Sequence, residues 1–297
     1  MSWQDISRSM TARTAFSALG VSSAFHALPS ALALGTWSHI VRLPWGMCTW
    51  RGSGGAIAGK NWPGSESAGN GQDAEIAITF DDGPDPKSTI PLLDRLDDLG
   101  IKATFFCLGT MMESYPDLVQ EIMHRGHEVG IHGYDHVAHL LRSPRWIWQD
   151  ITRAKLDLER IHGHESDSPD SPPDALPGDS SGAGHVRWFR PPKGVITGTT
   201  LIAAKYYGLD IVLWSAWGKE WTTNDPVQVA NRVIRRLDDG VIVLLHDADT
   251  TSPPGTWKVA YEALPRIIEE AGSRGLHPVA LSTLFRCSDL QLMQLRR

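Results

Sequence analysis

Apolar runs and amphipathic stretches alternate along the middle two hundred residues. The run Glu75–Phe80 predicts a buried strand, and Gly83-Pro84 directly after Asp81-Asp82 predicts a turn. Helical spacing follows from about Thr89 to Leu99, with Ser88 as expected N-cap and Gly100 as terminator. The same reading gives strands at Ala103–Cys107, Glu128–Ile131, Trp188–Phe189, Asp210–Trp214, Val241–Leu245 and His277–Leu281. Between them it gives helices at Pro116–Arg125, Arg145–Ile161, Thr200–Tyr207, Pro226–Leu237 and Thr256–Ala271. Strand–helix alternation of this length predicts a parallel sheet covered by helices. Seven strands, several with polar residues at their carboxyl ends, favour a β/α barrel over an open sheet, and such barrels build their sites at that face.

Two segments break the pattern. Thr49–Gly71 is rich in Gly, Ser and Asn and reads as a loose connection. Gly163–His185 is rich in Ser, Pro, Asp and Gly, offers almost nothing to bury, and reads as a disordered surface insertion. The expected organisation is an amino-terminal extension over 1–72, a barrel over 73–286 carrying that insertion, and a tail over 287–297. Within the extension, Ala15–Leu34 is weakly apolar, follows Arg8 and Arg13, and ends in the signal-peptidase-like Ala31-Leu32-Ala33. His26, Pro29 and Asp5 weaken that reading. Two alternatives stay open: an export signal, with an envelope or secreted destination, or a helix packed outside the domain of a cytoplasmic protein. The stretch is a poor membrane span.

Composition narrows the function classes. The formal net charge of −6 gives no basic surface for nucleic acid or anionic lipid. The three cysteines, Cys48, Cys107 and Cys287, form no metal-binding or disulfide framework, and Cys107 reads as a small buried hydrophobe. Tryptophan is frequent, at 12 residues, and most are expected in the core.

The chemistry concentrates at strand ends. Asp81 and Asp82 are adjacent carboxylates whose burial demands a metal, an arginine, or both. His132 and His136, spaced i, i+4, would share one face of a helical turn. With Asp82 they make a two-histidine, one-carboxylate set suited to catalytic zinc or a similar divalent ion. Arg190, before Pro191-Pro192, could hold the second aspartate ionised. His246 ends a wholly apolar strand and could donate a proton near neutrality; the alternative is a structural cap paired with Asp247. Gly178-Asp179-Ser180-Ser181-Gly182 formally matches a serine-nucleophile elbow, but lies in the insertion without the strand and helix that elbow needs.

Thr79-Phe80-Asp81-Asp82-Gly83, His132-Gly133-Tyr134-Asp135-His136, Arg190-Pro191-Pro192-Lys193-Gly194 and Leu244-Leu245-His246 stand in the order and rough spacing of the polysaccharide deacetylases. The chain thus resembles the NodB-like domain of carbohydrate esterase family four over about Glu75–Leu284. The resemblance implies a distorted (β/α)7 barrel and metal-dependent removal of N- or O-acetyl groups from a carbohydrate polymer or oligomer, zinc or cobalt being suitable ions. It implies Asp81 as general base, Asp82, His132 and His136 as metal ligands, Arg190 as the group orienting Asp81, and His246 as general acid. The amide near Lys193 would help hold the oxyanion, and Trp221 and Leu245 would wall an acetyl-methyl pocket. Four departures stand out: Gly133 replaces a usual Ser or Thr, and Lys193 a common Tyr. Trp217 and Glu220 occupy positions that are often aspartate, with Glu220 a substitute partner for His246, and the insertion separates two motifs. A catalytically silent carbohydrate-binding barrel is the alternative. Oligomeric state is not readable from the sequence.

Overall fold

The computed structural model describes residues 41–42, 48–49, 74–166 and 186–285. Most of the extension, residues 167–185 of the insertion and the tail lie outside the described residues, and with them the signal-like stretch and Ser180. A short antiparallel pair, β1 (Val41–Arg42) and β2 (Cys48–Thr49), precedes the main body. That body comprises, in chain order, β3 (Ala74–Asp81), α1 (Thr89–Asp98), β4 (Thr104–Cys107), α2 (Gly109–Ser114), α3 (Pro116–His124), β5 (Glu128–Ile131), α4 (Pro144–Ser166) and β6 (Trp188–Phe189). It continues with α5 (Gly198–Tyr206), β7 (Asp210–Ile211), β8 (Ala216–Trp217), α6 (Pro226–Ile234), β9 (Ile242–His246), α7 (Thr256–Ser273), β10 (Leu276–Val279) and α8 (Leu281–Leu284).

The strands form one sheet in the order β7-β6-β5-β4-β3-β9-β8, every pairing parallel, with β10 beside the amino-terminal half of β3. This is the expected helix-covered barrel, curled but left open between β7 and β8. β8, which the sequence reading did not include, joins the seven expected strands. β7 is shorter than the expected Asp210–Trp214. The Val212 and Leu213 carbonyls instead accept hydrogen bonds from Arg190 at 3.2 and 3.3 Å. α4 runs on to Ser166, so the first residues of the expected disordered insertion are helical. Among the described residues no helix is long and apolar enough to cross a membrane.

Period-two alternation sorts the side chains. Ile76, Ile78 and Phe80 of β3, Phe105 and Cys107 of β4, and Val243 and Leu245 of β9 pack in the core cluster that the helices cover. Ala77, Phe106, Ile242, Trp188 and Val212 form a smaller cluster on the opposite face. In register on that face, Asp81 lies beside His246 and Thr79 beside Leu244. A one-residue slip of β3 would exchange the two sets.

Local signals met mixed outcomes. Gly100 ends α1 at φ +66°, as expected of a left-handed terminator. Ser88 occupies the N-cap position without capping: its buried hydroxyl accepts no helix N–H. α5 is closed by a reciprocal Thr197–Thr200 capping box, and α6 by Asp225, which accepts from the Val227 and Gln228 amides. Cys107 is buried, as expected. Of the seven described tryptophans, Trp188 is buried, the half-buried Trp146, Trp148 and Trp214 pack against the core, and Trp214, Trp217 and Trp221 line a cavity.

Candidate active site

Neighbouring residues of a strand face opposite sides, so alternation alone would point Asp82 away from Asp81. Asp82 instead leaves β3 at φ +85°, which turns its carboxylate to the same side. His132, directly after β5, then faces both: its Nε2 lies 3.6 Å from Asp81 Oδ2 and 3.5 Å from Asp82 Oδ1. His132 Nδ1 is 2.8 Å from the Arg190 carbonyl oxygen. A carbonyl can only accept, so Nδ1 carries the hydrogen and Nε2 presents its lone pair. Burial lowers the His132 pKa to about 3 despite the attraction of Asp82, which keeps the ring neutral.

His136 completes the cluster, its Nε2 also 3.5 Å from Asp82 Oδ1. The HxxxH segment is not helical, contrary to expectation. Gly133 and His136 both have positive φ, +79° and +51°, so a loop rather than a helical face brings the rings together, with centroids 5.1 Å apart. Burial also lowers the His136 pKa, against the pull of Asp82 and Asp81.

The donor atoms of Asp82, His132 and His136 lie within 4.8 Å of one another, and the buried Asp82 Oδ1 accepts no hydrogen bond. Two donors each about 2.0–2.2 Å from one zinc ion lie roughly 3.3–3.6 Å apart at a tetrahedral angle. The 3.5 Å separations and the orphaned oxygen therefore fit a divalent ion.

Two flanking pairs frame this cluster. Arg190, wholly buried, donates from one nitrogen to Asp81 Oδ1 at 2.6 Å and to Thr79 Oγ1 at 2.9 Å, and lies 4.0 Å above the Phe106 ring. Burial raises the Asp81 pKa more than the arginine lowers it. On the other side, Glu220 Oε1 accepts from the His246 backbone amide at 2.7 Å and lies 3.0 Å from His246 Nδ1. Burial opposes the imidazolium, but Glu220, with Asp82 and Asp81 beyond it, outweighs that and raises the His246 pKa to about 9. Asp247 is not the partner of His246. It accepts from the Gly83 amide at 2.9 Å, and burial beside Asp82 holds its carboxyl well above the usual range.

The cluster opens into a cavity of about 310 Å³ whose lining includes Trp214, Trp217, Trp221, Leu244, His246 and Lys193. The three indoles run in series at 5.7 and 5.6 Å, and Trp221 meets the His246 ring edge-on at 5.2 Å. Leu244, not Leu245, faces the cavity. Leu245 belongs to the helix-side core, because it is one residue out of phase with His246.

Sequence reading missed two supports. Thr251, on the loop after β9, donates to Asp82 Oδ2. Asp150 of α4 accepts from the Tyr134 and Asp135 amides at 2.9 and 3.3 Å, bracing the histidine loop, in which Gly133 offers no hydroxyl. Neither carries a local motif. A Cβ on Gly133 would lie 2.8 Å from Asp150 Oδ2 and 2.9 Å from Pro192 Cγ, at a φ that L residues disfavour. Gly133→Ser is therefore expected to cost about 1–3 kcal/mol of stability; an unchanged melting temperature would contradict this reading of the loop.

Paired carboxylates, imidazoles and a buried arginine thus meet at the carboxyl ends of a parallel barrel, an arrangement able to hold a divalent ion. Comparison with known proteins then specifies the family. The polysaccharide deacetylase family model matches residues 68–174. A peptidoglycan-N-acetylglucosamine deacetylase of Bacillus cereus is 31% identical over 214 residues, covering 71% of this chain and 88% of that protein. A chitooligosaccharide deacetylase of Bradyrhizobium is 29% identical over 191 residues, covering 64% and 77%. The crystal structure of the Bc1960 peptidoglycan N-acetylglucosamine deacetylase, in complex with 4-naphthalen-1-yl-N-oxidanyl-benzamide, superposes with a TM-score of 0.61 at 29% identity, covering 72% and 89%. The chain belongs to the polysaccharide deacetylases, hydrolases acting on amide bonds of carbohydrates. Members of this family are generally metal-dependent.

Proposed function

We propose that this protein is a divalent-metal-dependent deacetylase that removes N-acetyl groups from an amino-sugar polymer or oligomer of the peptidoglycan or chitooligosaccharide class, with zinc as the ion. The observation that carries the reading is the convergence of Asp82, His132 and His136 between the Asp81–Arg190 and His246–Glu220 pairs, at the floor of a tryptophan-walled cavity. The substrates named for the relatives support the substrate class.

When bound by Asp82, His132 and His136, the ion would lower the pKa of water from 15.7 toward about 7 and polarise the acetyl carbonyl. Asp81, raised in pKa by burial and fixed at Oδ1 by Arg190, takes the proton of the attacking water at Oδ2. His246, protonated through Glu220, gives a proton from Nε2 to the sugar nitrogen, so that the amine leaves and acetate follows. The tryptophans supply apolar faces against which a sugar ring stacks, and Leu244 with Trp221 walls the space for the acetyl methyl.

The direct test is acetate release from N-acetylglucosamine oligomers and from peptidoglycan with added zinc or cobalt, with metal content measured on the same sample. Sugar binding without acetate, for every metal and substrate, would replace this reading by the silent carbohydrate-binding barrel.

The pH dependence follows from the acid. His246 must be protonated to work, so its raised pKa places the loss of activity near pH 9, on the alkaline side. Glu220→Gln removes the charge that holds the proton, and the alkaline limb of kcat/KM should move down toward the ordinary histidine value of 6.5. An unmoved limb would remove Glu220 from the proton-transfer assignment.

A further inference from the structure

Three of the four titratable side chains lining the cavity already face a titratable partner within the protein. Asp81 has Arg190 at 2.6 Å, His246 has Glu220 at 3.0 Å, and His136 has Asp82 at 3.5 Å. Lys193 is the fourth. It is exposed, and no carboxylate among the described residues lies within ion-pair distance of its ammonium. Its backbone is unusual as well, at φ +59° and ψ +13°, a left-handed conformation unfavourable for a residue with a side chain. The chain therefore holds a strained position with lysine where glycine would fit freely, and this lysine lines the cavity with no counter-charge among the described residues. A second ammonium, Lys219, stands 4.5 Å over the ring of Trp217, itself a lining residue, also with no carboxylate partner among the described residues.

We propose that Lys193 binds a carboxylate carried by the sugar, so that the preferred substrate is an acetylated amino sugar bearing an acidic substituent. The inference rests on the deacetylase reading above and narrows its substrate class. Lysine suits such a contact because a compact charge with three donors can follow a carboxylate on a flexible ether arm, while the stacked ring itself fixes the geometry. The contact is solvent-exposed, so it is screened by salt and contributes at the low end for a charged hydrogen bond, about tenfold in affinity.

The test compares acetate release from N-acetylglucosaminyl-N-acetylmuramic acid with its lactyl carboxylate free and from the same disaccharide as its methyl ester. Neutral N-acetylglucosamine oligomers serve as a reference. The wild type should prefer the free acid about tenfold in kcat/KM, mainly through KM, with the preference shrinking at high salt. Lys193→Gln should erase the acid-to-ester ratio, and Lys193→Arg should keep it. Equal turnover of acid and ester by the wild type, or a ratio that survives Lys193→Gln, overturns the inference while acetate release from the neutral oligomers leaves the deacetylase reading standing. Acetate from none of the three overturns both.

Discussion

Replacing His132 by alanine is expected to abolish ion retention and acetate release together. The residue presents Nε2 to the cluster with its hydrogen committed to the Arg190 carbonyl, so no rearranged tautomer can take its place. Removing only an outer-shell partner of a metal ligand typically costs about 10–100-fold in affinity, and loss of the ligand itself exceeds that. Dialysed His132→Ala protein should hold far less than one equivalent of zinc and release no measurable acetate. Its far-ultraviolet spectrum should stay that of the wild type, because the ring lies at the site rather than in the helix-side core. Full metal content in the variant would remove His132 from the ligand set.

Asp81→Asn should separate chemistry from metal binding. The amide keeps the shape of the carboxylate but cannot accept the proton, and general-base catalysis is worth about 10²–10⁴-fold. Acetate release should fall by that range while zinc stays near the wild-type content, since Asp82, His132 and His136 are untouched. The same substitution leaves the buried Arg190 without its counter-charge, a loss of about 3–5 kcal/mol in comparable buried pairs. Rates must therefore be read well below the lowered melting temperature. Near wild-type turnover by Asp81→Asn would transfer the base to another group.

The two variants probe different depths of the sequence reading. Asp81 and His246 were legible because both follow apolar strands, and period-two alternation puts them with Thr79 and Leu244 on the face opposite Phe80 and Leu245. Motif resemblance, which carries no phase, put Leu245 in the pocket; strand alternation puts Leu244 there. The histidine pair was legible as a pair but not as a loop, since i, i+4 spacing is shared by a helical turn and by a segment with positive φ at Gly133 and His136. Glu220 could be named only as a candidate, and the 3.0 Å approach to His246 decided it over Asp247, its sequence neighbour. Thr251 and Asp150 had no signal, because their roles lie in contacts across 169 and 16 residues with no repeating pattern.

By itself, then, the sequence determined the parallel strand–helix architecture, the phase of each long strand, and which charged groups had to be buried together. Those follow from local periodicity and from the cost of leaving a buried charge unpaired. Only the tertiary structure decided how they meet: the turn of Asp82 out of strand alternation, the loop that delivers His136, and the choice of Glu220 as the partner of His246. Each depends on a single non-repeating dihedral or on register between distant strands, and neither leaves a period in the chain.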